Sequence, residues 1–256
     1  MYGWRAKIGM LIPTNNTIIE PEAASRAPEG VTFHATRMVS SRTGHGSVEG
    51  LQNLVTNVDR AAEELSITNV DAMIYGCLST SFAIENWETD FREKVAKWAD
   101  VPAITAFEAT TLAIKSFGAK KVAVLCPYGA ELQKLAYPAF ERAGLKIANL
   151  KSINVTGLQA VCQVPVGDVY RAAREIDMNG ADILCILATD LSTIGVVSAV
   201  ERDLGIPVVS TNQALIWASL GMSRIKDQVN ESGLLFKNTF SAQSFIGSGK
   251  TSLKIQ

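Results

Sequence analysis

The sequence predicts an α/β protein of two doubly wound, parallel-sheet (Rossmann-like) domains related by pseudo-two-fold symmetry, with a functional site at their interface. Three observations predict this. Short apolar runs alternate with amphipathic helical segments, which is typical of βαβ units. The runs recur in the same order after about 110 residues. Polar or small residues follow the runs, where open α/β sheets bind ligands.

Composition and charge exclude several classes of protein. The chain has 256 residues, of which 47% are hydrophobic and 19% charged, so it can build a large core and is not a disordered protein. Its net charge of −1 argues against a nucleic-acid partner. No apolar run reaches the roughly 20 residues that span a bilayer, and the opening residues 1–13 are expected to form a strand rather than a signal peptide. We therefore expect no membrane partner.

The first half contains four predicted strands and three predicted helices. The strands are 7–13, 31–38, 71–77 and 101–105, and the helices are 48–65, 87–98 and 108–117, the last ending at Gly118. The second half repeats this order with strands 121–127, 151–155, 182–188 and 206–210 and helices 132–143, 169–178, 197–204 and 213–220, the last ending at Gly221. We expect domains at 1–116 and 117–219, with 220–256 packing back on the first.

Polar residues follow the strands in both halves. They are Thr14 to Thr17, Ser79 to Ser81, Tyr128, Thr189, Asp190, Ser192, Thr193, and Ser210 to Asn212. If the halves face one another, these groups converge on one cleft. The alternative is a pair of duplicated domains that share no site.

Cys77 is the sharpest single candidate, because it lies where a strand turns into a Ser/Thr-rich loop. A helix or tight turn beginning there would direct backbone N–H groups at the sulfur and favour the thiolate. The alternative is a small buried hydrophobic residue, and we assign Cys126, Cys162 and Cys185 to that class. No CxxC or Cys/His cluster occurs, so we expect free thiols, no metal and a reducing, cytoplasmic setting.

Other motifs give weaker indications. His34 and His45 have no Ser, Asp or Cys partner at motif spacing, so no hydrolase triad is predicted. No GxGxxG or Walker loop occurs, and residues 44–47 are expected to form a loop over the cleft. Asp190 is either a base or ligand, or a turn-capping residue. Glu20 and Glu22 are expected in the first turn of a helix. Arg5 and Arg37 either supply charge to a substrate carboxylate or pair with Glu20 or Glu22.

The candidate cleft needs no cofactor. Backbone amides, hydroxyls and Asn amides bind carboxylates and stabilise an enediolate, and a thiolate beside them can move a proton or attack an activated double bond. The substrate is therefore expected to be a small carboxylate or dicarboxylate.

Several segments resemble the maleate cis-trans isomerase family, within the aspartate/glutamate racemase superfamily that includes arylmalonate decarboxylase. They are the opening Ile8-Gly9…Ile12-Pro13-Thr14-Asn15-Asn16-Thr17…Glu20, the stretch 33–38, Tyr75-Gly76-Cys77-Leu78, Pro127-Tyr128 and Pro207-Val208-Val209-Ser210-Thr211-Asn212-Gln213-Ala214. The resemblance runs along nearly the whole chain. It implies an active site between the two halves, with one cysteine on each face of the substrate.

The resemblance also implies roles for single residues. Cys77 matches the first-half cysteine, which is thought to add to the double bond of maleate and allow rotation. Tyr128 and Asn16 match residues that hydrogen-bond a substrate carboxylate, and Ser79 falls in the oxyanion-hole loop. We expect further substrate contacts from the neighbouring strand-end residues Thr14, Leu78, Thr80, Thr189, Asp190 and Asn212.

The chain departs from the family pattern at Ala188, where both the pattern and the internal repeat place the second cysteine. Three explanations compete: an engineered Cys-to-Ala change, a natural enzyme that uses Cys77 alone with Asp190 or water as proton carrier, or reduced or lost activity. A second departure is Thr156-Gly157-Leu158, which is closer to the decarboxylase branch than to the isomerases.

Three functions remain open at this stage. The first is a cofactor-independent isomerase or racemase of a small carboxylic acid that acts through Cys77. The second is an arylmalonate-type decarboxylase that forms an enediolate, and the third is a carboxylate-binding protein without turnover. The family's habits and the apolar helix faces suggest a homo-oligomer.

Overall fold

A computed structural model describes residues 1–40, 47–155 and 160–240. Its first half contains strands and helices in alternation. The strands are β1 (Ala6–Pro13), β2 (Val31–Met38), β3 (Ala72–Tyr75) and β4 (Ala103–Thr105). The helices are α1 (Ile19–Arg26), α2 (Val48–Val55), α3 (Val58–Ile67), α4 (Thr80–Ala83), α5 (Trp87–Ala96) and α6 (Ala106–Ser116).

The second half repeats this plan. The strands are β5 (Lys121–Cys126), β6 (Lys146–Ser152), β7 (Ile183–Ile186) and β8 (Val208–Ser210). The helices are α7 (Ala130–Arg142), α8 (Val166–Arg174), α9 (Val197–Leu204) and α10 (Thr211–Met222), with short 3-10 helices at Val161–Gln163 and Leu234–Lys237.

Each half contains a four-stranded parallel sheet of the same strand order. The first sheet runs β2-β1-β3-β4 and the second β6-β5-β7-β8. Ile8 pairs with Ala72 and Leu11 with Tyr75 in the first sheet, while Val122 pairs with Ile183 and Leu125 with Ile186 in the second. In this order β2 lies on one side of β1 and β3 on the other, so the order of addition of strands switches sides between β1 and β3. The same switch occurs between β5 and β7. Ligands of doubly wound sheets bind at such a switch point.

The core joins the halves. One apolar cluster contains side chains from both sheets, such as Ile8, Ile104, Val122 and Val209, and continues through α6 and α10, which pack on each other. Two further clusters cover the outer faces, one in each half. The central strands β3 and β7 are buried on both faces, which explains why they appear in the sequence as continuous apolar runs, whereas the edge strands β2 and β6 are only partly buried.

Several predicted boundaries were wrong for local reasons. The predicted helix 48–65 is two helices, because the chain breaks at Thr56 and Asn57, whose side chains donate to backbone oxygens. Helix α6 ends before Gly118, which has a φ of +71°, but α10 continues through Gly221 to Met222. The predicted strand 151–155 is β6, which begins earlier and ends at Ser152.

The described part of the C-terminal segment contacts both halves. Arg5 pairs with Asp227, and Asn238 donates to Ser116 of the first half. Glu201 of the second half accepts from the backbone of Leu234. The domain limits 1–116 and 117–219 therefore remain a prediction, and residues 241–256 lie outside the described ranges. Within these ranges, no helix combines the length and apolar character that crossing a bilayer requires.

Candidate active site

A cavity of about 360 Å³ opens at the carboxyl ends of the four central strands, between the two halves. Residues following β1, β3, β5 and β7 line it. Polar lining comes from Asn15, Asn16, Ser40, Cys77, Ser79, Tyr128, Thr189 and Asp190, and apolar lining from Pro13, Leu51, Leu54, Leu78, Pro127, Leu132, Val155 and Val161. The residues after these four strands therefore converge on one cleft, as predicted, whereas Ser192, Thr193 and Ser210 to Asn212 do not line it.

Cys77 follows β3 after a single glycine. Gly76 donates to the Leu11 carbonyl oxygen at 2.8 Å, and a Cβ at this position would stand 2.9 Å from Ile12 Cγ2. Glycine is needed here because the backbone approaches β1 too closely for a side chain. The approach places the Cys77 thiol at the cavity wall, where the residue is 8% exposed.

The prediction that the surroundings of Cys77 favour the thiolate was wrong, because their net effect is to raise the pKa of the thiol. Burial raises the pKa of the Cys77 thiol, although hydrogen bonds from Thr80 and Ser79 act in the opposite direction. The negative charge of Asp190 raises the pKa further. Desolvation outweighs the local donors, so the free protein holds a neutral thiol.

Tyr128 supplies a neutral hydrogen-bond donor. Its carbonyl oxygen accepts from Gln133 at 2.7 Å and from Ser152 at 2.8 Å, which fixes the loop after β5. Its ring packs edge-on against Phe82 of the first half. Burial, followed by the charge of Asp190, raises the pKa of the phenol well above its usual value, so the hydroxyl stays protonated.

Asn16 holds the N-terminal turn of α1 and also reaches across the interface. Its Oδ1 accepts from the backbone of Ile18 and Ile19 at 3.0 and 3.1 Å, and its Nδ2 donates to Thr189 Oγ1 at 3.1 Å. An amide nitrogen carries two donors. Asn16, which lines the cavity, therefore has one N–H beyond the Thr189 bond.

The other predicted site residues divide into two groups. Leu78, Ser79, Thr189 and Asp190 line the cavity. Thr14 is instead exposed and donates to Met38 O, Thr80 is fully buried against the Tyr75 hydroxyl, and Asn212 is buried behind Thr189. Ala188 is also buried beside the cavity rather than in its lining, with a backbone φ of +100°.

The remaining candidates lie outside the cavity lining or outside the residues that the structure describes. His34 is half-buried and shares a hydrogen bond with Thr32. Cys126 and Cys185 are fully buried as expected, whereas Cys162 is only half-buried and its thiol donates to Asn15 O at 3.4 Å. His45 in the loop 44–47 and the stretch Thr156-Gly157-Leu158 fall in segments outside the described residues.

Glu22 is a structural residue whose partners the sequence did not reveal. It lies in the first turn of α1, as expected, but its buried carboxylate crosses to the second half. Oε1 accepts from the backbone of Thr193 and Ile194 at 2.7 and 3.0 Å, and Oε2 from Asn212 Nδ2 at 2.7 Å. Arg37 pairs instead with Glu20, and Arg5 with Asp227. No sequence signal links Glu22 to partners so far along the chain.

The chemistry of the lining suits an organic acid. Hydroxyl and amide donors converge on one thiol, and the described lining residues include no Lys, Arg or His. Within the same described ranges, no cluster of three or more His, Cys, Asp or Glu is placed to hold a metal ion. The donors can bind a carboxylate and stabilise the charge of an enediolate.

Comparisons with known proteins agree with these features. The family model for arylmalonate decarboxylase matches residues 8–236. A maleate isomerase of Geobacillus stearothermophilus is 25% identical over 252 residues, covering 91% of this chain and 98% of its own. The arylmalonate decarboxylase of Bordetella bronchiseptica is 22% identical over 224 residues, covering 84% and 90%.

A solved structure adds the fold. The crystal structure of a Cys-to-Ala variant of the maleate isomerase Iso from Pseudomonas putida S16, with maleate, superposes with a TM-score of 0.84 at 25% identity and covers 91% of this chain and 98% of that one. The comparisons confirm the resemblance and the fold class that the sequence predicted. They support an isomerase, with decarboxylation as the second candidate.

Proposed function

The chain belongs to the arylmalonate decarboxylase family, and its relatives include maleate isomerases. From this premise we propose that it is a cofactor-independent isomerase of a small unsaturated carboxylic acid, with Cys77 as the nucleophile. One observation carries the proposal. The Cys77 thiol and Tyr128 line the same cavity, Cys77 at the switch point of the first sheet and Tyr128 at the switch point of the second.

Binding precedes activation of the thiol. The substrate carboxylate is held by uncharged donors, which are the Tyr128 hydroxyl, the Ser79 hydroxyl and the second N–H of Asn16. Because the free thiol is neutral, its proton leaves only as sulfur attacks the double bond. The site therefore keeps Cys77 protonated until a substrate is bound.

Addition of sulfur to one alkene carbon converts the double bond to a single bond. The displaced electron pair moves toward the carboxylate, where the hydrogen-bond donors stabilise the resulting enediolate. The adjacent carbon then takes up the proton that the thiol released. Rotation about the new single bond, removal of a proton from this carbon and departure of the sulfur give the other geometric isomer. The sequence consumes no cofactor and leaves the enzyme unchanged.

Exchange of the nucleophile tests the proposal. We expect Cys77→Ser to lower kcat/KM for cis-trans isomerisation of maleate and of alkyl-substituted analogues by about 1000-fold, about 4 kcal/mol of transition-state stabilisation, measured by proton NMR. The matched control is Cys162→Ser, which changes a half-buried thiol outside the lining. Full activity of Cys77→Ser would remove Cys77 from the mechanism.

Decarboxylation of a substituted malonate is the second candidate, and the apolar wall favours it. Leu51 and Leu54 of α2 and Leu132 of α7 face the same cavity and can pack against a bulky side group. Loss of carbon dioxide also leaves an enediolate that must then be protonated. Release of carbon dioxide from aryl- or alkylmalonates, without cis-trans isomerisation of unsaturated acids, would favour this reaction over isomerisation.

A further inference from the structure

The loop that follows β7 is fastened to the loop that carries Cys77. Thr189 is 4% exposed, and its Oγ1 donates across the interface to the carbonyl oxygen of Gly76 at 2.8 Å. The same oxygen accepts from Asn16 Nδ2, and the Thr189 carbonyl accepts from Asn212 at 3.0 Å. Gly76 directly precedes Cys77, and Asp190 directly follows Thr189. The hydrogen bond therefore ties the two loops together next to the thiol and the carboxyl group.

The backbone at this point is strained. Ala188 has a φ of +100°, which residues with a side chain rarely adopt. Strain of this kind persists where the surrounding structure holds it, and it is concentrated at functional sites. Here the held loop delivers Thr189 to the interface and Asp190 to the cavity wall.

Asp190 shares the cavity with two titratable groups, the Cys77 thiol of the first half and the Tyr128 phenol of the second. No cationic side chain stands among the lining residues that the structure describes. Burial raises the pKa of Asp190 to about 6, and its charge raises the pKa of both Cys77 and Tyr128. The carboxyl group is thus within electrostatic reach of the thiol.

We propose that Asp190 is the second acid–base group of this site, in place of the cysteine that the family pattern assigns to position 188, and that Thr189 positions it against Cys77. The inference rests on the proposed isomerase function. It makes the chain competent despite Ala188, whose methyl group can carry no proton.

Each proton in the reaction then has a place. As the sulfur–carbon bond forms, the thiol proton passes to the Asp190 carboxylate and the alkene electrons move to the substrate carboxylate. Protonated Asp190 then delivers that proton to the adjacent carbon. After rotation, Asp190 removes a proton from this carbon, the double bond re-forms, the sulfur–carbon bond breaks, and the departing sulfur takes the proton back from Asp190.

Alkylation of Cys77 tests the pairing without turnover. The rate of reaction with iodoacetamide is measured against pH in a Cys162→Ser background, with mass spectrometry to locate the label. Because the Asp190 charge raises the pKa of Cys77, Asp190→Asn should shift the midpoint of the profile to lower pH. Asp168→Asn, which changes an exposed acid of the same half, should leave the midpoint in place. An unshifted midpoint in Asp190→Asn would overturn the proposal.

Kinetics test the chemical role. Isomerisation by the parent protein should rise with pH through about 6, as Asp190 ionises to the proton-accepting form. In Asp190→Asn, kcat should fall about 100-fold or more and this limb of the profile should disappear, while Asp190→Glu should restore part of the activity. A pH dependence caused by ionisation of the substrate itself would persist in Asp190→Asn. Unchanged kcat in Asp190→Asn would show that Asp190 only caps its turn.

The two readouts separate the two proposals. If the parent protein isomerises no unsaturated acid, the proposed function fails, and the alkylation midpoint still decides whether carboxylate and thiol are paired. If isomerisation depends on Cys77 but not on Asp190, the function stands and the role of Asp190 is wrong.

Discussion

Thr189 shows how a single side chain sets the site at the residue scale. Its hydroxyl both donates to the first half and accepts from it, so neither bond can be lost without leaving a buried polar group unpaired. An unpaired buried donor or acceptor costs more than a hydrogen bond gains. The position therefore requires a hydroxyl, and a side chain of the same shape without one does not suffice.

Substitution of Thr189 tests this requirement. Thr189→Val keeps the shape of the side chain but removes both bonds, so we expect a loss of about 1–3 kcal/mol in the free energy of unfolding and a fall in kcat. Thr189→Ser keeps the hydroxyl and should recover most of both. Urea unfolding and isomerase kinetics measure the two effects. Equal behaviour of the valine variant and the parent protein would contradict the requirement.

The sequence predicted some site residues well and others poorly. Cys77, Ser79, Tyr128 and Asp190 were identifiable because each follows a strand, and strand ends are read from local apolar runs. The pKa of Cys77 was predicted in the wrong direction, since desolvation depends on packing that lies far away in the chain. Thr14 failed as a site residue because its hydroxyl is satisfied by the neighbouring strand at Met38.

At the scale of elements, helix α1 connects the two halves through the Glu22 side chain. Glu22 extends from it to a turn before α9, where it accepts from the backbone of Thr193 and Ile194, and to the first turn of α10, where it accepts from the Asn212 side chain. Burial raises the pKa of this carboxyl, although its hydrogen bonds oppose the shift. The carboxylate is therefore costly to bury but fully used.

Removal of the Glu22 carboxylate should destabilise the interface between the halves. Glu22→Ala leaves two backbone N–H groups and the Asn212 amide without their acceptor, so we expect a loss of about 3 kcal/mol in the free energy of unfolding. Glu22→Gln keeps an acceptor for the backbone and should lose about 1 kcal/mol. Urea titration measures both. A loss in Glu22→Ala no larger than in Glu22→Gln would argue against this connection.

The pH dependence of this effect has a definite sign. Because the folded-state pKa of Glu22 lies above its ordinary value of 4.5, the folded state binds more protons in that window. Stability contributed by Glu22 is therefore present below pH 4.5 and falls as pH rises through the raised pKa. The advantage of the parent protein over Glu22→Gln should narrow in the same direction, and a widening would contradict the shift.

At the scale of the whole molecule, the two halves share one core. The cluster through α6 and α10 contains side chains of both sheets, and α10 is buried from Thr211 to Leu220. The fold class was predictable, because the repeat and the strand-helix alternation are local patterns. The sharing of the core was not, since an apolar helix does not reveal which face it will meet. This is also why the domain limits at 116 and 219 remain a prediction.

A shared core should unfold as a unit. Ala113, which is fully buried in the shared cluster, has no room for a larger side chain, so Ala113→Leu should lose about 1–3 kcal/mol. Amide hydrogen exchange should report a similar loss at β1 in the first sheet and β5 in the second. A loss confined to β1 would mean that the halves open separately.

The positive φ at Ala188 bears on any attempt to give the chain a pair of opposed sulfurs. Cys77, its counterpart in the repeat, is not among the residues with positive φ, so the two positions differ in main-chain conformation as well as in side chain. A cysteine introduced at position 188 would share this positive φ, so its side chain would leave the main chain in a different direction from that of Cys77. The single substitution Ala188→Cys would therefore not reproduce the geometry of Cys77 unless the main chain of the turn changed as well.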